Sequence, residues 1–357
     1  MKNYLKNKIL ESPSKMISYA AFIQEALYHP TLGYYMKERE KVGRFGDFIT
    51  TSNVSDIYGK IVARWFSKLV DEKGIPATVC EIGGGNGRFA NAFIEGWKEL
   101  STEKLQYYIL EESPYHRKLQ LETIQFDENI RQISSLEELK PFHGLIFSNE
   151  LFDALPVHVI EKRNNQIMEV MVSFNGDRFV EGFVPLEDDS IQSFLEDSGL
   201  VLQLNQRIEI PLSMVEFVKK IADVIERGLI LTVDYGYTNE EWMEPSHQDG
   251  SLRGYYQHGQ VNDVLKNPGE IDITSHVHFD SFIQIGEEHG LRLHKKVRQD
   301  EFFLSIGLLE QLLEHSDPNP FSEVSRRNRA IRSLIMPNGM SSYFHVIIQS
   351  KGLDGRF

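Results

Sequence analysis

The sequence is short of cysteine, with one in 357 residues. Cys80 therefore has no intramolecular disulfide partner, and the chain suits a reducing compartment. Lying between Val79 and Ile82, it reads as a small apolar filler of a core strand rather than as a nucleophile. No apolar run approaches the length needed to span a membrane, and there is no internal repeat or low-complexity tract. Positive charge is also scarce: 38 Lys and Arg stand against 52 Asp and Glu, a net charge of −14. That sign opposes non-specific binding to nucleic acid, and it is compatible with a basic substrate such as a cationic peptide. The basic cluster "RRNRAIRS" from Arg326 reads as a solvated helix face. The histidines are scattered without ligand spacing, so no metal site is expected. The opening "MKNYLKNKIL" has no apolar h-region or cleavage site and lacks the bias of a transit peptide. The expected location is cytoplasmic, or the mitochondrial matrix for a eukaryotic source.

Glycine is concentrated in one place, "TVCEIGGGNGRFANAFIEGW", Thr78 to Trp97. A buried strand runs into four glycines, and Phe89, Ala92, Phe93 and Trp97 then recur at helical spacing. Strand, glycine turn and helix make a place where a ligand meets backbone N–H groups and a helix N-terminus. Two ligands fit the spacing. Gly85, Gly87 and Ala90 satisfy the dinucleotide pattern G-x-G-x-x-A. One register earlier, Glu81, Gly83, Gly85 and Gly87 give E-x-G-x-G-x-G, the usual S-adenosylmethionine loop. Glu81 favours the second reading. At the strand end it repels a pyrophosphate and attracts the ammonium and sulfonium of S-adenosylmethionine, by about 3–4 kcal/mol per pair at ~4–5 Å.

Further apolar runs follow: Tyr107 to Leu110 before Glu111, Leu145 to Ser148 before Asn149 and Glu150, and Leu229 to Val233 before Asp234. Their non-alternating character predicts strands buried on both faces, hence a parallel α/β sheet with acidic or polar residues past its carboxyl edge. "EVMVSFNGDRFVEGF" predicts an inserted hairpin turning at Asn175-Gly176. The stretch from Thr238 to Phe279 reads as a long irregular loop, mobile without ligand. "SYAAFIQEALYHP" predicts a helix capped by Ser18 and ending before Pro30.

"GDFITTSNVSDIYGKIVARWF", "CEIGGGNG", "NELFDALPVHVI", "VDYGY", "SLRGYYQH" and "PGEIDITSHVHF" occur in one order, from about Ser18 to Gln349. Together they resemble the MidA family of S-adenosylmethionine-dependent methyltransferases, whose mitochondrial members symmetrically dimethylate an arginine on a complex I subunit. The resemblance implies a Rossmann-like seven-strand class I methyltransferase sheet, its last strand antiparallel, with an N-terminal helical extension and an inserted substrate lobe. The implied division is an extension over 1–75, a core over 76–160, a lobe over 161–212, and core again over 213–238. A substrate-site loop over 239–280 and a C-terminal core over 281–357 complete it. S-adenosylmethionine is the implied cofactor, held by Glu81, Gly83, Gly85, Gly87, Glu111 and Asn149, with Asp47 and Thr50 of "GDFIT" as a wall or lid. The implied partner is a protein substrate, a respiratory-complex subunit or another arginine-bearing protein.

Glu150 is the carboxylate expected to orient a guanidinium, whose delocalised lone pairs make it a poor nucleophile. Asp153 is the second catalytic candidate, although its acid also suits the N-terminus of a short helix. His258 in "RGYYQH" is the candidate proton acceptor of the long loop, set against the commoner structural role of a lone loop histidine. His158 reads as a strand residue. Three positions depart from the family pattern: Gly84 replaces a proline, Asn53 a glutamate, and no aromatic stands near Gln132 and Ile133 to meet adenine. Two competing readings remain, a nicotinamide- or flavin-linked oxidoreductase and a non-catalytic cofactor-binding assembly factor.

Overall fold

The computed structural model describes residues 1–39, 41, 56–257, 259–313, 319, 321–336 and 340–355. Asp47, Thr50, Asn53 and His258 lie outside the described residues.

The chain opens with helix α1 (Lys2–Glu11), a short strand β1 (Met16–Ser18) and helix α2 (Tyr19–Tyr28). The Ser18 hydroxyl accepts the Ala21 N–H and starts α2 where the sequence predicts. Helix α3 (Ile57–Lys73) ends at Gly74, whose φ of 58° closes it. Then come β2 (Thr78–Ile82), α4 (Arg88–Leu100), β3 (Gln106–Leu110), α5 (Pro114–Thr123), β4 (Ile130–Ile133) and β5 (Phe142–Asn149).

A second group of strands follows: β6 (His158–Arg163), β7 (Gln166–Phe174), β8 (Phe179–Pro185) and, after α6 (Asp189–Ser198), β9 (Arg207–Ile210). The β7–β8 hairpin turns at Asn175-Gly176, where the Asn175 N–H donates to the Arg178 carbonyl. Helix α7 (Leu212–Val224) leads into β10 (Ile225–Asp234), then β11 (Gly236–Tyr237) and the single turn α8 (Asn239–Trp242). Beyond these lie β12 (Arg253–Tyr256), β13 (Gly259–Val261), β14 (Asp272–Thr274), β15 (Val277–His278), α9 (Phe279–Glu288), β16 (Arg292–Arg298), α10 (Gln299–Ser305), α11 (Glu323–Ser333) and β17 (His345–Lys351).

Seven strands form one sheet in the order β16-β17-β10-β5-β2-β3-β4. β10, β5, β2, β3 and β4 run parallel, and β17 lies antiparallel to both β10 and β16. This is the seven-strand sheet expected, with its last strand reversed. One face is covered by α3, α4, α10 and α11, where Phe66, Phe93, Trp97 and Ile331 are buried. On the other face Met214, Val218, Phe279 and Phe282 come from α7 and α9. Double coverage is why these strands read as unbroken apolar runs.

A second sheet, β1-β7-β6-β9 with β8 on β7, stands apart from the first. Its apolar face packs against the N-terminal helices through Leu5, Ile9, Phe22, Ile23, Val159 and Val172, with Ile271 and Ile273 beside them. Helices α1 and α2 thus dock on the second sheet, whereas α3, counted with them in the extension over 1–75, packs on the main sheet. His158 opens β6 and faces Glu169 at 2.9 Å, as befits a strand residue.

The stretch from Thr238 to Phe279 is not an irregular loop. Strands β12, β13 and β14 form a small antiparallel sheet, and β11 pairs with β15. Polar composition hid this because its order comes from long-range anchors. Glu209, 1% exposed, accepts the Ser251 N–H and hydroxyl, both at 2.8 Å, and the Leu252 N–H at 3.3 Å. Amide exchange in ligand-free protein should therefore be slow at β12 and β14. Glu209→Gln should accelerate it about 10- to 100-fold there, the range for losing a charge-assisted hydrogen bond. β10 should keep its protection, and equal acceleration across both regions would show that Glu209 is not a local anchor.

Candidate active site

A cavity of about 740 Å³ opens along the carboxyl edge of the main sheet, where α/β folds bind ligands. Glu81, Gly83, Gly84, Gly85 and Glu111 line one part; Glu150, Asp153, Tyr235, Asp272 and His276 line another. Among the described residues of its wall there is no lysine or arginine. The charged side chains of the described wall are acids, set among apolar, tyrosine and histidine residues.

The glycine loop follows β2 directly. Gly83 and Gly85 have φ of 73° and 50°, and a Cβ at Gly85 would meet no atom within 4 Å, so that space is left for a ligand. Gly87 does not belong with them. It is buried outside the cavity wall, and a Cβ on it would meet Ile124 Cδ1 at 2.9 Å and Gln120 Cγ at 3.1 Å. Its glycine serves the start of α4 and the packing of α5, which spacing alone could not separate from ligand contact. At Gly84 a Cβ would lie 2.6 Å from Ile109 Cγ2, so a glycine there fits its neighbour.

Glu81 is 4% exposed and accepts the Tyr107 hydroxyl at 2.8 Å. Burial raises its pKa to about 8. Glu111 follows β3, and its two oxygens accept the Gly85 and Ser113 N–H groups, each at 2.8 Å. The carboxylate therefore fixes the glycine loop while retaining further acceptor capacity. Burial lifts its pKa to about 7 against these bonds. His116 lies 3.8 Å away, and burial lowers its pKa to about 4.

At the end of β5, Asn149 accepts the Tyr58 hydroxyl at 3.1 Å and donates to Glu150 Oε1 at 3.0 Å. Glu150 has φ of 51°, a left-handed conformation that a glutamate adopts only under constraint. The constraint is visible. Asp234, at the end of β10, accepts the Leu151 and Phe152 N–H groups at 3.2 and 2.9 Å and the Tyr235 N–H at 3.0 Å. The Glu150 N–H donates to the Val233 carbonyl at 2.9 Å. Burial, then Asp153, pushes the Glu150 carboxyl up to about 8.

Asp153 does not start a helix. Residues 151–155 are a turn, and the side chain is buried with Oδ1 lacking any hydrogen-bond partner. Burial and Asp234 raise its pKa well above the usual carboxylate range. Asp272 and the tyrosines at 28, 35, 235 and 255 join it around the cavity. His276 also lines this wall, stacking on Tyr237 with centroids 4.3 Å apart, and burial lowers its pKa to about 4. Sequence reasoning assigned no role to these residues. Position past a strand pointed to Asp234; nothing local pointed to Tyr28, Tyr35 or Asp272.

The sheet order with its reversed last strand and the ligand space over the glycine loop define a class I methyltransferase fold. Residues 61–297 match the family model described as "Putative S-adenosyl-L-methionine-dependent methyltransferase", and the chain belongs to that family. S-adenosylmethionine is accordingly its cofactor, and the carboxylates and open glycine loop suit that cationic donor where they would repel a dinucleotide. The oxidoreductase reading falls. The chain is 26% identical over 354 residues to the zebrafish "Protein arginine methyltransferase NDUFAF7, mitochondrial", covering 88% of this chain and 79% of that one. It is 27% identical over 353 residues to the Drosophila melanogaster homologue, covering 88% and 77%. A crystal structure from Burkholderia thailandensis bound to S-adenosyl-homocysteine superposes with a TM-score of 0.90 at 27% identity, covering 99% of this chain and 92% of that one.

Donor binding should be coupled to proton release. Burial raises the Glu81 and Glu111 carboxyls to about 8 and 7, whereas a donor ammonium beside Glu81 and ribose hydroxyls donating to Glu111 would favour the ionised forms. S-adenosylhomocysteine affinity should rise from pH 6 to 8, by up to about tenfold per unit for each proton released. Calorimetry in buffers of different ionisation enthalpy counts those protons; a count of zero at pH 6.5 would contradict the coupling.

Proposed function

We propose that the chain methylates an arginine side chain on a protein, with Glu150 orienting the acceptor guanidinium. The observation that carries this reading is the set of buried acids in a cavity whose described wall holds no lysine or arginine, with Glu150 in a left-handed conformation among them. The arginine methyltransferase names of the relatives support it. When bound, S-adenosylmethionine supplies an electrophilic methyl on a sulfonium: the nitrogen–carbon bond forms as the carbon–sulfur bond breaks, leaving a thioether and one surplus proton. Glu81 takes the donor ammonium, Glu111 the ribose hydroxyls, and Gly83 and Gly85 leave room for the donor over the loop. Asn149 holds Glu150 Oε1, and Glu150 fixes the guanidinium nitrogen in line. Alignment of this kind is worth roughly 7–11 kcal/mol. With a carboxyl pKa near 8 in the empty site, Glu150 is also suited to accept the departing proton. Asp153 is a second acid for the same cation. The partner is a protein bearing an exposed arginine, reached in the cytoplasm, or in the mitochondrial matrix if the source is eukaryotic.

Labelled-methyl transfer to a cell lysate, with mass spectrometry of the labelled band, tests the reading; label on lysine or on a small molecule would overturn it. Gly85→Val should lower S-adenosylhomocysteine affinity more than about 100-fold with an unchanged circular dichroism spectrum, because the valine enters ligand space and resists positive φ. Unaltered affinity in the folded variant would displace the loop from the donor site.

Glu150→Gln keeps size and one acceptor oxygen but removes charge. Donor affinity should stay within about threefold while single-turnover methylation falls ~10²-fold, the cost of one misplaced catalytic contact. Wild-type turnover would retire Glu150 from the mechanism. A lower thermal midpoint with proportionate loss of binding and turnover would make it part of the scaffold.

A further inference from the structure

Glu150 is held from behind by residues that do not themselves line the cavity. Asn149 ends β5, and its Nδ2 donates to Glu150 Oε1 at 3.0 Å. The other end of that amide, Oδ1, accepts the Tyr58 hydroxyl at 3.1 Å. Tyr58 comes from the first turn of α3 and is 1% exposed. The Gln299 side-chain N–H donates to the same hydroxyl oxygen at 3.1 Å. Gln299 opens α10 and is fully buried, and its backbone N–H donates to the Phe344 carbonyl at 2.9 Å. Side chains from α10, α3 and β5 thus converge on one glutamate.

The polarity of this chain of bonds follows from the number of protons. A hydroxyl has one. The rings of Phe89, Phe147 and Phe303 meet the Tyr58 ring edge-to-face, with centroids 5.3, 6.5 and 5.0 Å away. With Gln299 donating into the hydroxyl oxygen, the proton goes to Asn149 Oδ1, and the Asn149 N–H is left to face Glu150. Turning the amide over breaks two bonds at once. It leaves the Tyr58 proton without an acceptor in a buried site, and it sets Oδ1 against Glu150 Oε1, which only a protonated carboxyl tolerates.

A donated hydrogen bond favours the ionised carboxyl, and the surroundings otherwise oppose it. Burial, then Asp153, push the Glu150 carboxyl up; the Asn149 bond pulls it down, and Asp272 adds to the upward push. Asp234 is near enough to feel the Glu150 charge, and Tyr58 feels the charges of both Glu150 and Glu81. We propose that Tyr58, directed by Gln299, is a positioning residue for the methyl transfer: it fixes the Asn149 amide with its N–H toward Glu150, and so keeps that carboxylate ionised and oriented for the acceptor. This rests on the role given to Glu150 above. In the competing role Tyr58 is a core aromatic whose hydroxyl only satisfies its own burial. That role needs the ring and its aromatic neighbours but no influence on Glu150, so the two part at Tyr58→Phe.

The test titrates the ligand-free full chain, labelled with carbon-13 at the glutamate side-chain carboxyls, by NMR. Glu150→Gln and Glu111→Gln assign the two resonances. In wild type Glu150 should titrate near pH 8 and Glu111 near pH 7. Asn149→Ala should raise the Glu150 midpoint by about 1 to 2 pH units, as for one lost hydrogen bond to a charged group. Tyr58→Phe should raise it by about 0.5 to 1 pH unit, leave Glu111 in place and keep S-adenosylhomocysteine affinity within about threefold. Added to Asn149→Ala, Tyr58→Phe should move the midpoint no further, because its effect passes through the amide. A Glu150 midpoint that stays put in Tyr58→Phe overturns the inference, while turnover of Glu150→Gln decides the role of Glu150 separately. A full further movement in the double variant also overturns it, since Tyr58 would then act without Asn149. Movement of Glu111 in step with Glu150, with a lowered thermal midpoint, makes Tyr58 scaffold. Wild-type turnover by Glu150→Gln removes the role of Glu150 and this inference with it.

Discussion

Desolvation of acids at one sheet edge is the constraint on which the site depends. Glu81, Glu111, Glu150, Asp153 and Asp234 all have pKa values raised by burial, with Asp272 set among them. Such groups survive inside a protein only if they hold protons, accept hydrogen bonds or meet cations. Hydrogen-bond acceptance is the solution the structure displays. Asp234 takes backbone N–H groups, Glu111 takes two more, and Glu81 and Asp272 take tyrosine hydroxyls. These donors are neutral, and burial raises the carboxyls of Glu81, Glu111 and Glu150 toward their protonated forms. A lysine or arginine in the described wall would have offset their charge, and there is none.

The same constraint accounts for the backbone around Glu150. A glutamate at φ of 51° is strained, and Asp234 holds the turn that imposes this conformation. Two neighbouring parallel strands, β5 and β10, thus end in acids with different work. The acid of β10 is satisfied by the backbone of the turn after β5, and the acid of β5 is left beside the cavity. Asn149, Tyr58 and Gln299 extend this arrangement inward: the Gln299 amide donates to Tyr58, Tyr58 to Asn149, and Asn149 to Glu150, at 3.1, 3.1 and 3.0 Å. Every donor in the chain points toward the carboxylate.

Much of this was legible in the sequence where it is local. The strand–glycine–helix unit, the apolar runs of β3, β5 and β10, the acids after them and the Asn175-Gly176 hairpin all lie within short windows, where period and turn chemistry decide. Gly87 and Asp153 show the limit of local reading. The spacing placed Gly87 with the ligand glycines, but its neighbours Ile124 and Gln120 come from another helix and its end. A short helix suited Asp153 locally, but Asp234, from a strand further along the chain, holds a turn there. Thr238 to Phe279 looked irregular because Glu209, its anchor, lies outside the segment. Tyr35 and Asp272 are 237 residues apart, and no pattern of either segment announces their contact.

That difference in sequence range divides the cavity into parts with different dependence on the fold. Glu81, the glycine loop, Glu111 and His116 line one part of the cavity, on adjacent strands β2 and β3 and the segments that follow them. The other part of the wall draws on the β5 turn, β14 and residues from α2 to Tyr35 at once; helices α1 and α2 are held by the second sheet, whereas α3 packs on the first. Docking α1 and α2 on the second sheet is therefore what brings Tyr28 and Tyr35 to the acids. Local opening of these two helices would dissolve that part of the wall and leave the glycine loop and both of its carboxylates in place. The second sheet thus holds α1 and α2 beside the part of the cavity wall that carries Tyr28 and Tyr35.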